Sequence, residues 1–151
     1  MKDTYMATRF FLCNLKVYDG IKDDIIVAQS LFAKNQQYTE HWTCGNVVNI
    51  AVGDEAYFVR VGDKIRGIFA SGEIIEPPTD GVITFQWNAV VDFNKPLLVS
   101  ELLQRQDFEG ANFFIRGSGY RFADEYAEVL GVAWRQYVIQ HGSFLNSLFK
   151  N

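Results

Sequence analysis

Apolar and polar positions alternate along this chain in distinct periods, and each period predicts an element. Thr8-Arg9-Phe10-Phe11-Leu12-Cys13-Asn14-Leu15 is a short apolar run followed by Asp19-Gly20 turn chemistry, the pattern of a buried strand. From Ile21 to Ala33 the spacing becomes helical. Ile25, Ala28, Leu31 and Phe32 share one face, and Asp23 and Asp24 sit in the first turn, where the helix dipole favours them. Asn35 to Asn46 is polar around Trp42 and is expected to be irregular.

The middle of the chain reads as β. Glu55-Ala56-Tyr57-Phe58-Val59-Arg60-Val61 leads into a turn around Gly62-Asp63, and a return strand runs from Lys64 to Ile75 until Pro77-Pro78 stops it. Val82 to Phe93 predicts another strand, with Val82, Thr84, Gln86 and Asn88 on one face and Ile83, Phe85 and Trp87 on the other. After Pro96, Ser100 is placed to cap a short helix, Glu101-Leu102-Leu103-Gln104. A last helix is predicted over Ala123 to Gln140, with Tyr126, Ala127, Leu130, Trp134, Tyr137 and Val138 at helical spacing. The order predicts one α+β domain over residues 1–151, a small mixed sheet curling on itself with helices at its rim.

Composition narrows the function classes. At 151 residues with 48% hydrophobic and 21% charged positions, the chain can bury a core and belongs to ordinary globular proteins. The mean hydropathy of −0.05 and the lack of a long apolar run predict no membrane span. Met1-Lys2-Asp3-Thr4-Tyr5 lacks the build of a secretory signal, and two cysteines, Cys13 and Cys44, make no disulfide framework, so the cytoplasm is the expected location. A net charge of −4 argues against a protein that coats polyanions. Aromatic residues reach 15%, enough to fill a core and also to line a cavity that stacks flat ligands.

Catalytic signatures are weak. Gly117-Ser118-Gly119 is not a nucleophile elbow, because Ile115 occupies the first glycine position, and nothing ties His41 or His141 to Ser118. Cys13, His41, Cys44 and His141 lack the paired spacing of a zinc site. The glycines at 53, 62, 67 and 72 lie between strands, not at a strand-to-helix turn that would cradle phosphate. Asp23-Asp24 and Asp54-Glu55 are accounted for by capping and solvation at helix starts and turns. No enzyme activity, metal or cofactor is expected. Recognition remains: Trp42 among polar residues is a stacking candidate, and Arg60, Lys64, Arg66, Arg116 and Arg121 are a candidate basic face.

The ordered series His41-Trp42-Thr43-Cys44-Gly45, Gly53-Asp54, Arg60-x-Gly62 and Arg66-Gly67-Ile68-x-Ala70-x-Gly72 resembles the EVE domain of the PUA-like superfamily. It is most similar to the version at the N-terminus of modification-dependent HNH restriction endonucleases. Trp87-Asn88-Ala89-x-x-Asp92 and Gly117-Ser118-Gly119 continue the likeness, which spans about residues 8 to 138. The resemblance implies a mixed β pseudo-barrel flanked by helices, an EVE/YTH-type architecture. It also implies a cage for one flipped modified base, a modified cytosine or methylated adenine, in DNA before RNA. It places Trp42 as the cage tryptophan, Thr43 and Cys44 beside it, Asn14 at the base edge, Trp87 on a strand, and Ser118 closing the site.

This chain departs from the pattern in places. Cys13 stands where relatives often carry tryptophan, Phe113 lies near another such position, and the loop Glu76-Pro77-Pro78-Thr79-Asp80 lacks an aromatic. A more open pocket, or one tuned to a different base, is expected. Arg60, Arg66, Arg116 and Arg121 are the candidate phosphate contacts. Only eleven residues follow Gln140, so any nuclease domain or subunit is expected elsewhere. Free modified nucleotide or modified RNA, and a protein-interaction or inhibitor module, are the alternatives.

Overall fold

Two strands rich in aromatic and β-branched residues, β1 (Thr8–Asn14) and β3 (Glu55–Val61), lie side by side and parallel at the centre of the molecule. A computed structural model describes residues 6–149; Met1-Lys2-Asp3-Thr4-Tyr5, read above for a signal, lies outside them. Between β1 and β3 the chain forms α1 (Ile21–Ala33) and β2 (Tyr38–Thr43). After β3 come β4 (Gly67–Thr79), β5 (Val82–Val91), β6 (Leu97–Leu98), α2 (Val99–Leu102), β7 (Tyr120–Phe122), α3 (Asp124–His141), β8 (Gly142–Phe144) and α4 (Asn146–Phe149). The sheet has eight strands in the order β2-β5-β4-β3-β1-β7, with β6 added to β4 and β8 to β5. Every pairing except β1 with β3 is antiparallel. The class is α+β, and the described residues share one hydrophobic core. No helix among them is long and apolar enough to cross a membrane.

Periodicity placed the main helices correctly, and α1 runs over the predicted span with Ile25, Ala28 and Phe32 buried. Four other expectations need correction. The stretch 35–46, expected to be irregular, contains β2, whose residues pair from Tyr38 with Trp87 to Thr43 with Val82. It is an edge strand with one partner and mostly exposed side chains, so it carries little apolar signal.

Pro77-Pro78 does not end β4. The pairing skips from Glu76 opposite Thr84 to Thr79 opposite Val82, so both prolines sit in an irregularity where they need donate no ladder hydrogen bond. Asp80 and Gly81 then turn the chain with φ of 53° and 77°, the two positive values of a two-residue type I′ hairpin. The short helix starts at Val99 with Leu98 at its cap, and Ser100 lies inside it; the buried side chains of Val99 and Leu102 anchor it.

Alternation along β1 divides the core. Phe10 stacks on Phe122 at 4.7 Å between ring centroids, whereas Phe11 faces Phe58 at 5.4 Å. On the other side α3 inserts Trp134, whose indole N–H donates to Ser71 Oγ at 2.7 Å. Gly72 is required where β4 meets β5, because a Cβ there would lie 2.1 Å from the Gln86 carbonyl oxygen.

Asp54 is not the solvated turn residue expected from the sequence: it is 3% exposed. Its carboxylate accepts from the amides of Ala7 and Ala51 and from Arg9 Nε at 3.3 Å. Arg9, equally buried, also donates to the carbonyls of Gly119 and Asn49, both at 3.1 Å. One ion pair therefore joins the start of β1, the loop before β3 and the turn before β7. Removing one partner leaves the other charge buried and unpaired. Arg9→Met is expected to lower the unfolding free energy in urea by about 3–5 kcal/mol. Arg121→Met, which breaks the exposed pair with Asp124, should cost less than about 1 kcal/mol. Equal, small losses would contradict a structural role for the buried pair.

Candidate functional site

The sheet leaves a seam. β2 ends the strand order on one side, and on the other β7 pairs with β1 only as far as Phe10. Past Phe10 the outward backbone groups of β1 need other partners. Gly119 N–H donates to the Phe10 carbonyl at 2.8 Å, Ser118 Oγ accepts the Leu12 amide at 2.8 Å, and Trp42 Nε1 donates to the Leu12 carbonyl at 3.3 Å. A side chain from β2 thus reaches β1 and draws the sheet round, where backbone pairing does not.

A cavity of about 550 Å³ opens at this seam. Leu12, Cys13 and Asn14 of β1 form one side, Tyr38 to Thr43 except Thr39 the other, and Phe85 and Trp87 of β5 also line it, with Tyr18 and Asp24 contributed by the approach to α1 and its first turn. Trp42 is half-buried. Its ring meets Tyr18, Phe58 and Phe85 at interplanar angles of 87°, 80° and 72°, and no aromatic ring of the described residues stacks parallel to it. Trp87 is fully buried, stacked on Tyr38 at 4.8 Å, and its indole N–H has no hydrogen-bond partner among the described residues.

Of the residues singled out from sequence, the cavity brings together Asn14, Trp42, Thr43 and Trp87. Ser118 stands behind the wall, holding Leu12. Cys44 is buried below the strand end, its thiol directed to the Val47 carbonyl at 3.7 Å and raised in pKa by burial. Phe113 is elsewhere: it is 1% exposed and packs between Phe10, Phe108 and Phe122 as core.

None of the four candidate phosphate-binding arginines lines the cavity. Arg60 is buried over the Phe93 ring and donates to Asp63 and to the Phe93 carbonyl, bracing the β3–β4 hairpin. Arg66 donates to the Phe113 carbonyl, Arg121 pairs with Asp124, and Arg116 is exposed.

The lining residues that sequence reasoning missed include Tyr18, Asp24, Tyr38, Glu40 and Phe85. Reading 38–43 as a strand would have put Tyr38, Glu40 and Trp42 on one face. Asp24 read as a helix-start residue, which it is, but its carboxylate also accepts a hydrogen bond from the Tyr18 hydroxyl.

Among the described residues two carboxylates and no lysine or arginine line the cavity, so the charge they bring to it is negative. Burial is the main force raising the Asp24 carboxyl above its ordinary range; the Tyr18 bond opposes this and the charges of Glu40 and Asp23 add to it. Burial, reinforced by Asp24, pushes the Cys13 thiol up to about 12, so that sulfur is neutral and unreactive at pH 7. Among the described residues no group of three or more His, Cys, Asp or Glu side chains is placed to hold a metal ion.

No protein-family model and no curated protein matches the sequence. Solved structures do resemble the fold. A hypothetical protein from Leishmania major aligns with a TM-score of 0.60 at 15% identity, covering 88% of this chain and 98% of its own. A protein from Pseudomonas syringae aligns with a TM-score of 0.54 at 16% identity over 83% of this chain and 99% of its own. A protein from Pseudomonas putida gives 0.54 at 15% identity over 84% and 98%. At these identities the likeness extends to architecture alone.

Because the Asp24 pKa is raised on folding, the folded state holds that proton more tightly than the unfolded chain, and stability is lost as pH rises from below the ordinary aspartate range through the raised value. The loss is regained as pH falls back through that range. Asp24→Asn is therefore expected to have a higher thermal midpoint than the parent at pH 7. The gap should close as pH drops below the ordinary aspartate pKa of about 3.9. A lower midpoint at pH 7 would show that the charge stabilises the fold.

Proposed function

We propose that this chain is a binding module of PUA-like, EVE-type architecture whose seam cavity takes one modified base flipped out of a nucleic-acid strand, DNA before RNA. The observation that carries this reading is Trp42: a half-buried indole, fixed by its N–H to β1, in the wall of an aromatic-lined cavity and with no ring of the described residues stacked on it. The volume lies in the range of ordinary ligand sites.

Stacking a base on an aromatic side chain contributes roughly 1–3 kcal/mol. Burying one methyl adds on the order of 0.8 kcal/mol, so discrimination of a modified base depends on polar groups at its edge as well. Asn14, Asp24, Glu40 and Thr43 supply those groups. The carboxylates keep phosphates out of the cavity and leave the strand outside. Arg116, exposed and without a side-chain ion pair among the described residues, is the strongest remaining candidate for a phosphate contact. The module does no chemistry of its own; where it serves cleavage, a nuclease domain or subunit supplies that. Two buried free cysteines suit a reducing cytoplasm.

A second reading, binding of a free nucleoside, is favoured by the same acidic lining, since a nucleoside carries no phosphate to repel. Titration of tryptophan emission with modified and unmodified oligonucleotides, then with nucleosides, separates the two. Quenching by modified strands only supports the first reading, quenching by nucleosides alone the second, and no response to either contradicts both. Trp42→Ala is expected to weaken binding at least about tenfold and, because the indole also closes the seam, to cost about 2 kcal/mol of stability.

A further inference from the structure

We infer that the base this cavity selects is guanine, held most tightly when its N7 is methylated and the ring is a permanent cation. This rests on the reading of the cavity as a base site and adds the identity of the base, which departs from the modified cytosine or methylated adenine expected from sequence.

The lining offers hydrogen-bond acceptors. Asp24 accepts from Tyr18 through Oδ2 and Glu40 from the His41 amide through Oε1, so in each the other oxygen is free, the bonded oxygen keeps a second lone pair, and both can still accept from a guest. No lysine or arginine competes for them within the lining. A carboxylate pairs best with two adjacent donors, and the four bases differ in this respect. Guanine presents N1–H beside its N2 amino group. Adenine and cytosine present one amino group beside an unprotonated ring nitrogen, and thymine one N–H between two carbonyl oxygens. Each of the last three sets an acceptor against the carboxylate, which is repulsive. Guanine alone matches.

Guanine O6, next to N1, needs a donor, and the Thr43 hydroxyl and the Asn14 side-chain amide, both in the lining, can supply one. The walls then favour positive charge. Trp42, half-buried and with no ring of the described residues stacked on it, presents a π face, and a cation over such a face is attracted by the ring quadrupole. Methylation at N7 places a positive charge in the ring and makes N1–H a stronger donor, and a facing carboxylate favours the form that keeps the N1, N2 and O6 edge. A neutral modified base adds only the area of its methyl group.

The test is isothermal titration calorimetry of the whole chain with 7-methylguanosine, guanosine, 5-methylcytidine and N6-methyladenosine, each also placed within a short oligonucleotide. The expected order is 7-methylguanosine first, guanosine at least about tenfold weaker, and the other two weaker still. Asp24→Asn and Glu40→Gln, checked for folding by circular dichroism, should each lower affinity for 7-methylguanosine at least about tenfold. Tighter binding of the methylated cytosine or adenine, or unchanged affinity in both variants, would overturn the choice of guanine and leave the base site standing. Binding of none of the four, free or in a strand, would remove the base site and this inference together.

Discussion

The buried pair of Arg9 and Asp54 sets the frame on which the rest is built. Arg9 fixes the Gly119 carbonyl, and Gly119 in turn donates to Phe10. That places Ser118 against the Leu12 amide and leaves the Leu12 carbonyl for the Trp42 indole. Four consecutive contacts therefore lead from a buried ion pair to the wall of the cavity. Such a pair is costly to desolvate, and its contribution is geometric: it permits one arrangement of three chain segments, and that arrangement exposes an indole.

Closing a curled sheet with a side chain in place of a backbone ladder has a consequence. Where strands pair, the space between them is filled; where Trp42 bridges, it is not. The seam keeps room beside the aromatic residues of β2 and β5, and α1 adds Asp24 at its edge. The charge of Asp24 is held against desolvation, next to Glu40, with no cation nearby in the lining. A desolvated carboxyl lining a cleft is a candidate functional group. Here the charge calls for a guest that donates hydrogen bonds or is itself positive. It is also compatible with the base-binding role proposed above for an acidic protein, because the attraction lies in the cavity and not across a broad basic face.

Much of this fold was legible in the sequence. The helical period of Ile21–Ala33 and the strict alternation of Ile83, Phe85 and Trp87 come from strong burial on one face, and both elements stand where the pattern put them. The edge strand Tyr38–Thr43 was not legible, because one neighbour and an exposed surface ask for few apolar residues. Pro77 and Pro78 misled for a related reason: proline forbids a ladder bond only where one is needed, and at a bulge none is. The site was half visible. Trp42 and Asn14 stood out by residue type, whereas Tyr38 and Glu40 needed β2 to be known first. Phe113 could not be told from a cage residue by type alone, since stacked core phenylalanines and cage aromatics use the same side chain. The arginines looked alike in sequence, yet Arg60 and Arg66 are held by carbonyls and rings within the fold.

The central claim is that Trp42 borders an open, negatively charged cavity while Trp87 and Trp134 are enclosed. Collisional quenching of tryptophan emission by caesium and by iodide, compared in the parent and in Trp42→Phe, tests it most directly. One emitting component should be quenched by caesium much more than by iodide, and that component should vanish in the variant. A component quenched preferentially by iodide, or no component reached by either ion, would contradict the account.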